Sequence, residues 1–244
     1  MRKGNDLEWL IASLVLFWWL PLSAENESVM AEESAYEYRE ASRDGIGKFY
    51  FGREISKVVG HGAIRWLERP EREQEELPAE VVRNMDLQSA DVVADIGAGS
   101  GYFTLRVAKK VPEGRVYAVD IQQEMLNFIQ LRAQAEKLRN VVPHLGSIED
   151  VKLPEDEVDL AFLVDAYHEF SHPREMMESI VRSLKPQGRV IFLEYRGEDP
   201  EVPIKPLHKM TQAQVKTEME AIGLEWVETR DFLPRQHFLI FRKK

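Results

Sequence analysis

The feature that most constrains this chain is an apolar run that leads directly into a glycine-rich turn. Residues 92–96 are VVADI, as expected of a strand buried on both faces, and GAGSG follows at once. Gly97, Gly99 and Gly101 permit a tight turn with positive φ and allow a ligand to approach the main chain closely. The next apolar run, RVYAVD, ends in Asp120, whose carboxylate can accept hydrogen bonds from a ribose diol. The pattern therefore predicts a nucleotide-binding βαβ unit.

From residue 91 onward, predicted strands and helices alternate. We predict strands at 92–96, 115–120, 140–145, 158–164, 189–195, 224–229 and 237–241, and helices at 101–111, 122–138, 173–184 and 211–222. A Thr211–Gln214 capping box opens the last helix. This order predicts an α/β fold: a doubly wound, mostly parallel seven-stranded sheet with helices on both faces and a C-terminal antiparallel hairpin.

Two residues distinguish this loop from a dinucleotide site. Dinucleotide binders usually carry G-x-G-x-x-G, but Tyr102 occupies the sixth position here. Asp95, just before the turn, would repel a pyrophosphate and would tolerate a sulfonium cation or an amino group. The loop therefore favours a cationic nucleoside ligand, while an NAD(P)-dependent oxidoreductase remains an alternative.

Three motifs carry a family resemblance that extends from about residue 78 to the C-terminus. VVADIGAGSGYFT resembles the first motif of class I S-adenosylmethionine (SAM)-dependent methyltransferases, and VYAVDIQQEML resembles their second-strand motif. LKPQGRVIFLEY is similar to their fifth-strand region. The resemblance implies a Rossmann-like methyltransferase fold, SAM as the cofactor and methyl transfer as the reaction.

The same resemblance implies which residues bind SAM. The cofactor-binding residues would be Asp95, Gly97, Gly99, Gly101, Asp120, Ile121, Ser147, Ile148 and Asp165. The three glycines would contact the methionine part, Asp120 the ribose hydroxyls and Ile121 the adenine. Asp95 would lie near the amino group, and Asp165 would contact that amine or cap the chain. Ser147 stands where the family usually has an acid beside the adenine.

The stretch after the fourth strand holds the candidate catalytic residues. Methyl transfer requires alignment, plus a base where the acceptor carries a proton. His168 is our first choice as base or acceptor-positioning group and Tyr167 the second, although His168 as a packed or capping residue is an equal alternative. His168-Glu169-Phe170-Ser171-His172 also matches H-E-x-x-H. Pro173 opposes the single helix that this zinc motif needs, so we predict no metal site, with a zinc peptidase as a minor alternative.

Charge and composition narrow the possible partners. The net charge is −10 and the basic residues are scattered, which argues against general binding to nucleic acid. The chain has no cysteine, which excludes disulfides, thiolate metal sites and a cysteine nucleophile. A small-molecule acceptor is therefore favoured. An exported, non-catalytic domain that keeps the SAM fold is a further alternative, and the oligomeric state cannot be inferred.

The N-terminal part predicts a separate segment. Arg2 and Lys3 precede an apolar run at 9–20 that is too short to span a bilayer comfortably, and Ala24 offers a cleavage point. We predict a signal peptide or N-terminal anchor at 1–24, and hence a periplasmic or exported protein, or a membrane-associated one. A cytoplasmic location stays open because SAM is made in the cytoplasm.

The remaining boundaries follow from composition. We expect a linker and N-terminal helical lid segment at 25–77 and the SAM-binding methyltransferase domain at 78–244. Within the first of these, the charged stretch 65–78 is interpreted as a solvated helix and turn. The residues that could form the wall of an acceptor pocket are Tyr50, Phe51, His61 and Trp66.

Overall fold

The computed structural model describes residues 35–244, which form two sheets. The strands are β1 Tyr36–Tyr38, β2 Gly45–Tyr50, β3 Arg53–Ser56, β4 Val92–Ile96, β5 Arg115–Asp120, β6 Val141–Leu145, β7 Val158–Val164, β8 Leu184–Tyr195, β9 Leu224–Thr229 and β10 Gln236–Lys243. The helices are α1 Ile64–Leu67, α2 Arg72–Glu75, α3 Pro78–Arg83, α4 Thr104–Ala108, α5 Gln123–Ala135, α6 Pro173–Ser183 and α7 Gln212–Ala221. The segment predicted as a signal or anchor, 1–24, lies outside the described residues.

The larger sheet has the order β6-β5-β4-β7-β8-β10-β9. Strands β4 to β8 pair in parallel, whereas β10 pairs antiparallel with both β8 and β9. The predicted fold class, a mostly parallel seven-stranded sheet with a C-terminal antiparallel hairpin, is confirmed. Strand β10 lies between β8 and β9, and β9 forms the edge of the sheet. The edge strand of the hairpin therefore comes before the inner strand in the sequence.

The sheet is buried on both faces because alternate residues of its central strands belong to different cores. Val93, Leu160 and Ile191 pack with apolar residues of α3, α4 and α5 on one face. Ala94 and Phe192 pack with residues of α6 and α7 on the other face. Each helix layer therefore covers one side, which leaves the carboxyl ends of the strands free to form a site.

The N-terminal segment differs from the predicted linker and helical lid. Strands β1, β2 and β3 form an antiparallel three-stranded sheet. This sheet docks on α6 and α7: the Tyr36 hydroxyl accepts a hydrogen bond from Arg174 N at 3.2 Å, and Arg53 pairs with Glu218. The helical prediction was wrong for 36–56, because β2 pairs there with β1 and β3, and this cross-strand pairing overrides local helix propensity.

Some element boundaries also differ from those predicted. Helix α4 begins three residues later than predicted, because the glycine turn extends to residue 103. The predicted KPQG turn at 185–188 lies within β8, where it makes the strand irregular. Gln187 has a φ of 65°, and the register of β8 against β7 shifts. Half of the capping box predicted for α7 is confirmed, since Thr211 Oγ1 accepts from Gln214 N at 3.1 Å. The Gln214 side chain does not return to Thr211, because its Nε2 donates to Glu218 Oε1 and Phe51 O. Among residues 35–244, no helix combines the length and apolarity required to cross a bilayer.

Candidate active site

The strand order of the larger sheet reverses beside β4, and a cavity lies at this point. Strand β4 has β5 on one side and β7 on the other, so the loops that follow β4 and β7 diverge at the carboxyl edge of the sheet. A cavity of about 480 Å³ opens there, which is within the range of roughly 300–1,000 Å³ typical of ligand sites. Its walls come from the glycine turn, the ends of β5 and β7, the segment 58–76 and the loop 203–208.

The glycine turn and Asp120 lie together at the floor of this cavity. Gly97 and Gly99 have φ values of 72° and 54°, which a side chain would disfavour. Asp120 Oδ2 accepts from Gly99 N at 2.9 Å, and its Oδ1 accepts from Gln122 N at 2.9 Å. Burial raises the pKa of Asp120, while these main-chain donors act to lower it. The carboxylate is thus fixed by main-chain groups and lines the cavity.

Eight of the nine residues predicted to bind the cofactor line the cavity, and Gly101 does not. A Cβ built on Gly101 would lie 2.9 Å from Ile129 Cγ1, and its φ is 77°. Gly101 therefore allows close packing of the turn against α5. This position does not agree with the predicted contact between Gly101 and the methionine part of the ligand.

The predicted adenine-side residues lie at the outer part of the cavity. Ile121 and Ile148 are 39% and 46% exposed, so both present apolar surface that a ring could cover. Ser147 holds its own turn, because its Oγ accepts from Asp150 N at 3.1 Å. The Ser147 hydroxyl, which stands where the family usually has an acid, is therefore already occupied by a hydrogen bond within the protein.

Asp95 is buried beneath the turn. Its Oδ2 accepts from Thr104 Oγ1 at 2.5 Å. Burial raises the pKa of Asp95 to about 7; the Thr104 hydrogen bond and the Arg72 guanidinium act in the opposite direction, and the Asp120 charge adds to the increase. A cation beside Asp95 would favour its ionised form, so this carboxyl is suited to a positively charged ligand.

Asp165 carries two signs of a ligand site at the end of β7. Its φ is 49°, an uncommon conformation for a residue with a side chain. Gln236 Nε2 donates to Asp165 Oδ2 at 2.7 Å. Among residues 35–244, Asp165 Oδ1 and Gln236 Oε1 are the buried side-chain polar atoms without a hydrogen-bond partner. Burial, together with the charges of Glu76 and Glu194, raises the pKa of Asp165 well above its usual value.

A charged wall at 69–76 was missed by the sequence interpretation. The predicted solvated helix instead buries Arg72 and Glu76, which are 5% and 1% exposed and line the cavity. Arg72 Nε and Nη2 donate to the two oxygens of Glu76 at 2.8 and 2.7 Å. The Tyr195 hydroxyl donates to Glu76 at 3.2 Å and accepts from Arg69. This fully paired arrangement permits burial of the charges, which the spacing alone did not reveal.

The two candidate catalytic residues face different surroundings. His168 lines the cavity and is 2% exposed; its Nδ1 lies 2.6 Å from Glu194 Oε2. Tyr167 is fully buried outside the cavity lining, and its hydroxyl donates to Glu218 at 2.6 Å. The position of Tyr167 argues against the acceptor-facing role predicted for it, because its hydroxyl belongs to a structural network.

The H-E-x-x-H match does not form a zinc helix. His168 and Glu169 lie in a 3-10 turn at 167–169, and His172 is the residue before α6. His172 Nε2 lies 3.5 Å from Glu149 Oε1. The 3-10 turn ends at Phe170, whose backbone is extended, and Pro173 is the first residue of α6, so no single helix joins the two histidines. Instead, Nε2 of His168 lies 3.1 Å from Nδ1 of His208, a residue forty positions away.

A strap of residues 57–61 crosses the cavity between two of its walls. Val59 N donates to Glu169 Oε2 at 2.9 Å, and Val59 O accepts from Gln122 Nε2 at 3.1 Å. His61 N donates to Gln122 Oε1 at 2.8 Å. Of the four residues predicted to form the wall of an acceptor pocket, Trp66 lines the cavity, whereas Tyr50, Phe51 and His61 do not.

The comparisons with known proteins agree with this geometry. Residues 87–232 match a family model described as a methyltransferase domain. An uncharacterized methyltransferase-like protein of Schizosaccharomyces pombe is 29% identical over 143 residues, covering 58% of this chain and 53% of that protein. The demethylmenaquinone methyltransferase of Chlamydia muridarum is 28% identical over 124 residues, covering 51% and 53%. The chain thus spans about half the length of the curated relatives it matches.

A solved structure shows the same fold. The SAM-dependent methyltransferase from Aquifex aeolicus superposes with a TM-score of 0.73 at 23% identity, covering 77% of this chain and all of that chain. The family match and the fold together identify SAM as the cofactor.

Proposed function

The chain belongs to the class I SAM-dependent methyltransferase family, and from this premise we propose that it transfers the methyl group of SAM to a small molecule bound in the cavity beside His168. The observation that carries the proposal is the joint position of the glycine turn and Asp120. Gly99 donates its main-chain N–H to the carboxylate that would hold the ribose.

The residues around the cavity fit the chemical parts of SAM. Asp95 and Asp165 supply buried carboxyl groups for the cationic methionine end, and the free Asp165 Oδ1 can accept a hydrogen bond from its ammonium. Asp120 can accept from the ribose hydroxyls, and Ile121 and Ile148 offer apolar surface to the adenine. When bound, SAM supplies a methyl group on a sulfonium, which is already a good leaving group.

The contribution of the chain is alignment and exclusion of water. We assign His168 to positioning of the acceptor, because it lines the cavity while Glu194 fixes its ring. The strap at 57–61 covers the cavity and is attached to Gln122 and Glu169. Demethylmenaquinone methyltransferases among the relatives support a small-molecule acceptor, as does the acidic charge of the chain.

Calorimetry with the full chain tests this proposal. We expect SAM and S-adenosylhomocysteine each to bind one site with a Kd in the micromolar range, about −8 kcal/mol. NADH serves as the control nucleotide and should give no saturable heat. Saturable binding of NADH without binding of SAM would favour an oxidoreductase and would contradict the proposal.

The affinity for SAM should depend on pH through Asp95. Below pH 7 this carboxyl is mostly protonated in the free protein, because burial raises its pKa to about 7. A bound cation favours the ionised form, so binding should release a proton, and affinity should fall roughly fivefold between pH 7 and pH 6. Above pH 8 the Asp95 contribution should be constant.

Calorimetry in two buffers of different ionisation enthalpy measures the released proton directly. The matched comparison is Asp95→Asn, which keeps the size of the side chain and cannot ionise. We expect less proton release at pH 6 for the variant than for the natural chain. Equal release by the two proteins would exclude Asp95 as the titrating group.

A further inference from the structure

Three side chains of metal-ligating type converge in the cavity although no motif joins them. The atoms are Nε2 of His168, Nδ1 of His208 and Oε1 of Glu169. His168 and Glu169 come from the turn after β7, whereas His208 comes from the 3-10 turn at 206–208. All three residues line the cavity. Spacing along the chain predicted no metal site, because this group forms only in the folded protein.

The distances among these atoms match the edges of a tetrahedral coordination shell. His168 Nε2 is 3.1 Å from His208 Nδ1 and 3.7 Å from Glu169 Oε1, and His208 Nδ1 is 3.5 Å from Glu169 Oε1. A tetrahedron with bonds of ~2.1 Å has edges of about 3.4 Å, whereas cis ligands of an octahedron lie about 3.0 Å apart. The mean of the three observed distances is closer to the tetrahedral value.

Groups behind these atoms already orient them. Glu194 Oε2 lies 2.6 Å from His168 Nδ1, so a proton on Nδ1 is held by the carboxylate and Nε2 is left as a lone-pair donor. The other oxygen of Glu194 accepts from Tyr167 N at 3.0 Å. Glu169 is fixed similarly, because its Oε2 accepts from Val59 N. Such outer partners are typical of metal-bound imidazoles and carboxylates.

The charges of the cluster favour a dication. Glu194 is fully buried and Glu169 is partly buried, so two carboxylates adjoin the two imidazoles. The nearby cation Arg53 is engaged by Glu218 in a two-bond ion pair and reaches only the carbonyl oxygen of His168. A divalent cation would balance the two carboxylates, which are costly to bury without compensation.

We propose that His168, Glu169 and His208 bind one Zn²⁺ ion. Three protein ligands leave a tetrahedral ion one position for an oxygen atom of another molecule, the arrangement of catalytic zinc sites. That oxygen would belong to the methyl acceptor, which is then a molecule with a hydroxyl, enol or carboxylate group. This last step rests on the proposed function, whereas binding of the ion does not.

A metal titration of the full chain, prepared without a polyhistidine tag and stripped with a chelator, tests the site. We expect one Zn²⁺ per chain with a Kd of micromolar or lower by calorimetry. Co²⁺ in its place should give the intense visible absorption of a tetrahedral ion. Weak absorption typical of octahedral Co²⁺, or tighter binding of Mn²⁺ than of Zn²⁺, would overturn the assignment to zinc.

Variants separate this site from general metal binding. His208→Ala should weaken Zn²⁺ binding by at least about 100-fold, since loss of an outer partner alone typically weakens it 10–100-fold. Glu169→Gln keeps the shape of its side chain and should weaken binding as well, which covers the case that His208→Ala does not fold. The matched control is His144→Ala, whose ring contacts Lys152 O outside the cavity lining, and it should bind normally.

Two outcomes would overturn the proposal. The first is absence of Zn²⁺ binding, and the second is equally strong binding by the natural chain and both variants. Either result would mean that Glu194, His168 and His208 form only a hydrogen-bonded chain. SAM binding, measured separately on the metal-free protein, distinguishes the two hypotheses. Absence of SAM binding would contradict the proposed function. Absence of Zn²⁺ binding in a protein that binds SAM would contradict the metal site alone.

Discussion

Replacement of Asp120 by alanine is expected to weaken SAM binding by about 100-fold to 1,000-fold, or ~3–4 kcal/mol. The carboxylate accepts main-chain hydrogen bonds from Gly99 and Gln122, and it lines the cavity beside the glycine turn. Its loss removes two potential charge-assisted contacts to the ribose diol, each worth roughly 1.5–3 kcal/mol, and releases the turn that would contact the methionine part. Calorimetry with SAM measures the effect.

Asp120→Asn should be almost as damaging although it keeps the size of the side chain. Both oxygens of Asp120 accept from main-chain N–H groups, so the amide NH₂ of asparagine would face either Gly99 N or Gln122 N. A donor opposite a donor leaves a partly buried main-chain N–H without a partner, which costs up to about 1–3 kcal/mol and displaces the turn that would contact SAM. If the Asp120→Asn variant bound SAM as tightly as the natural chain does, the role proposed for the Asp120 carboxylate would be wrong.

The fold should survive both changes at Asp120. Both variants leave main-chain N–H groups of Gly99 or Gln122 without their acceptor, so the melting temperature should fall by several degrees while the protein remains folded. Asp156→Ala is the control, since this carboxylate is exposed and pairs with Lys243. We expect the control to bind SAM within about twofold of the natural chain. Weak binding by the control as well would show a general effect of lost negative charge.

The buried sheet was predictable because burial on both faces requires continuous apolar runs. VVADI and VDLAFLV occupy β4 and β7 with the predicted boundaries. The joint position of Gly99 and Asp120 also followed from the sequence, since parallel neighbours end at the same edge. In these strands, the apolar pattern of the sequence and the buried position in the folded protein agree, so the pattern alone was sufficient for the prediction.

The charged wall could not be predicted in this way. In the segment RWLERPEREQEELP, the high density of charged side chains suggests a solvated helix and turn. Burial of Arg72 and Glu76 depends on Tyr102, Phe103 and Tyr195, which come from other parts of the chain. The pairing of His168 with His208 could not be predicted either. His168, and not its neighbour Tyr167, lines the cavity because the chain forms a 3-10 turn at 167–169.

Removal of the buried carboxylate of Glu218 is expected to destabilise the protein by about 3–5 kcal/mol. Arg53 Nε and Nη2 donate to its two oxygens at 2.9 and 3.0 Å, and the side chains of Arg53 and Glu218 are 10% and 0% exposed. Burial acts to lower the pKa of Arg53, but the charge and hydrogen bonds of Glu218 outweigh it and raise the pKa above its usual value. Glu218→Ala would therefore leave a positive charge buried without a partner.

The loss should also loosen the N-terminal sheet, because Arg53 belongs to β3 and Glu218 to α7. Tyr167 would lose the acceptor of its hydroxyl as well. Equilibrium urea unfolding of Glu218→Ala, followed by the far-UV circular dichroism of the whole chain, measures the change in the free energy of unfolding. Amide hydrogen exchange should be faster in β1–β3 than in the central strands of the larger sheet.

The control is Glu80→Ala, which removes a carboxylate that pairs with Arg83 on the surface of α3. Exposed pairs of this kind contribute about 0–1 kcal/mol, so the control should unfold almost as the natural chain does. Arg53→Met combined with Glu218→Ala should recover part of the lost stability, because the double variant no longer buries an unpaired charge. Equal destabilisation by Glu218→Ala and Glu80→Ala would show that the Arg53–Glu218 pair does not hold the two sheets together.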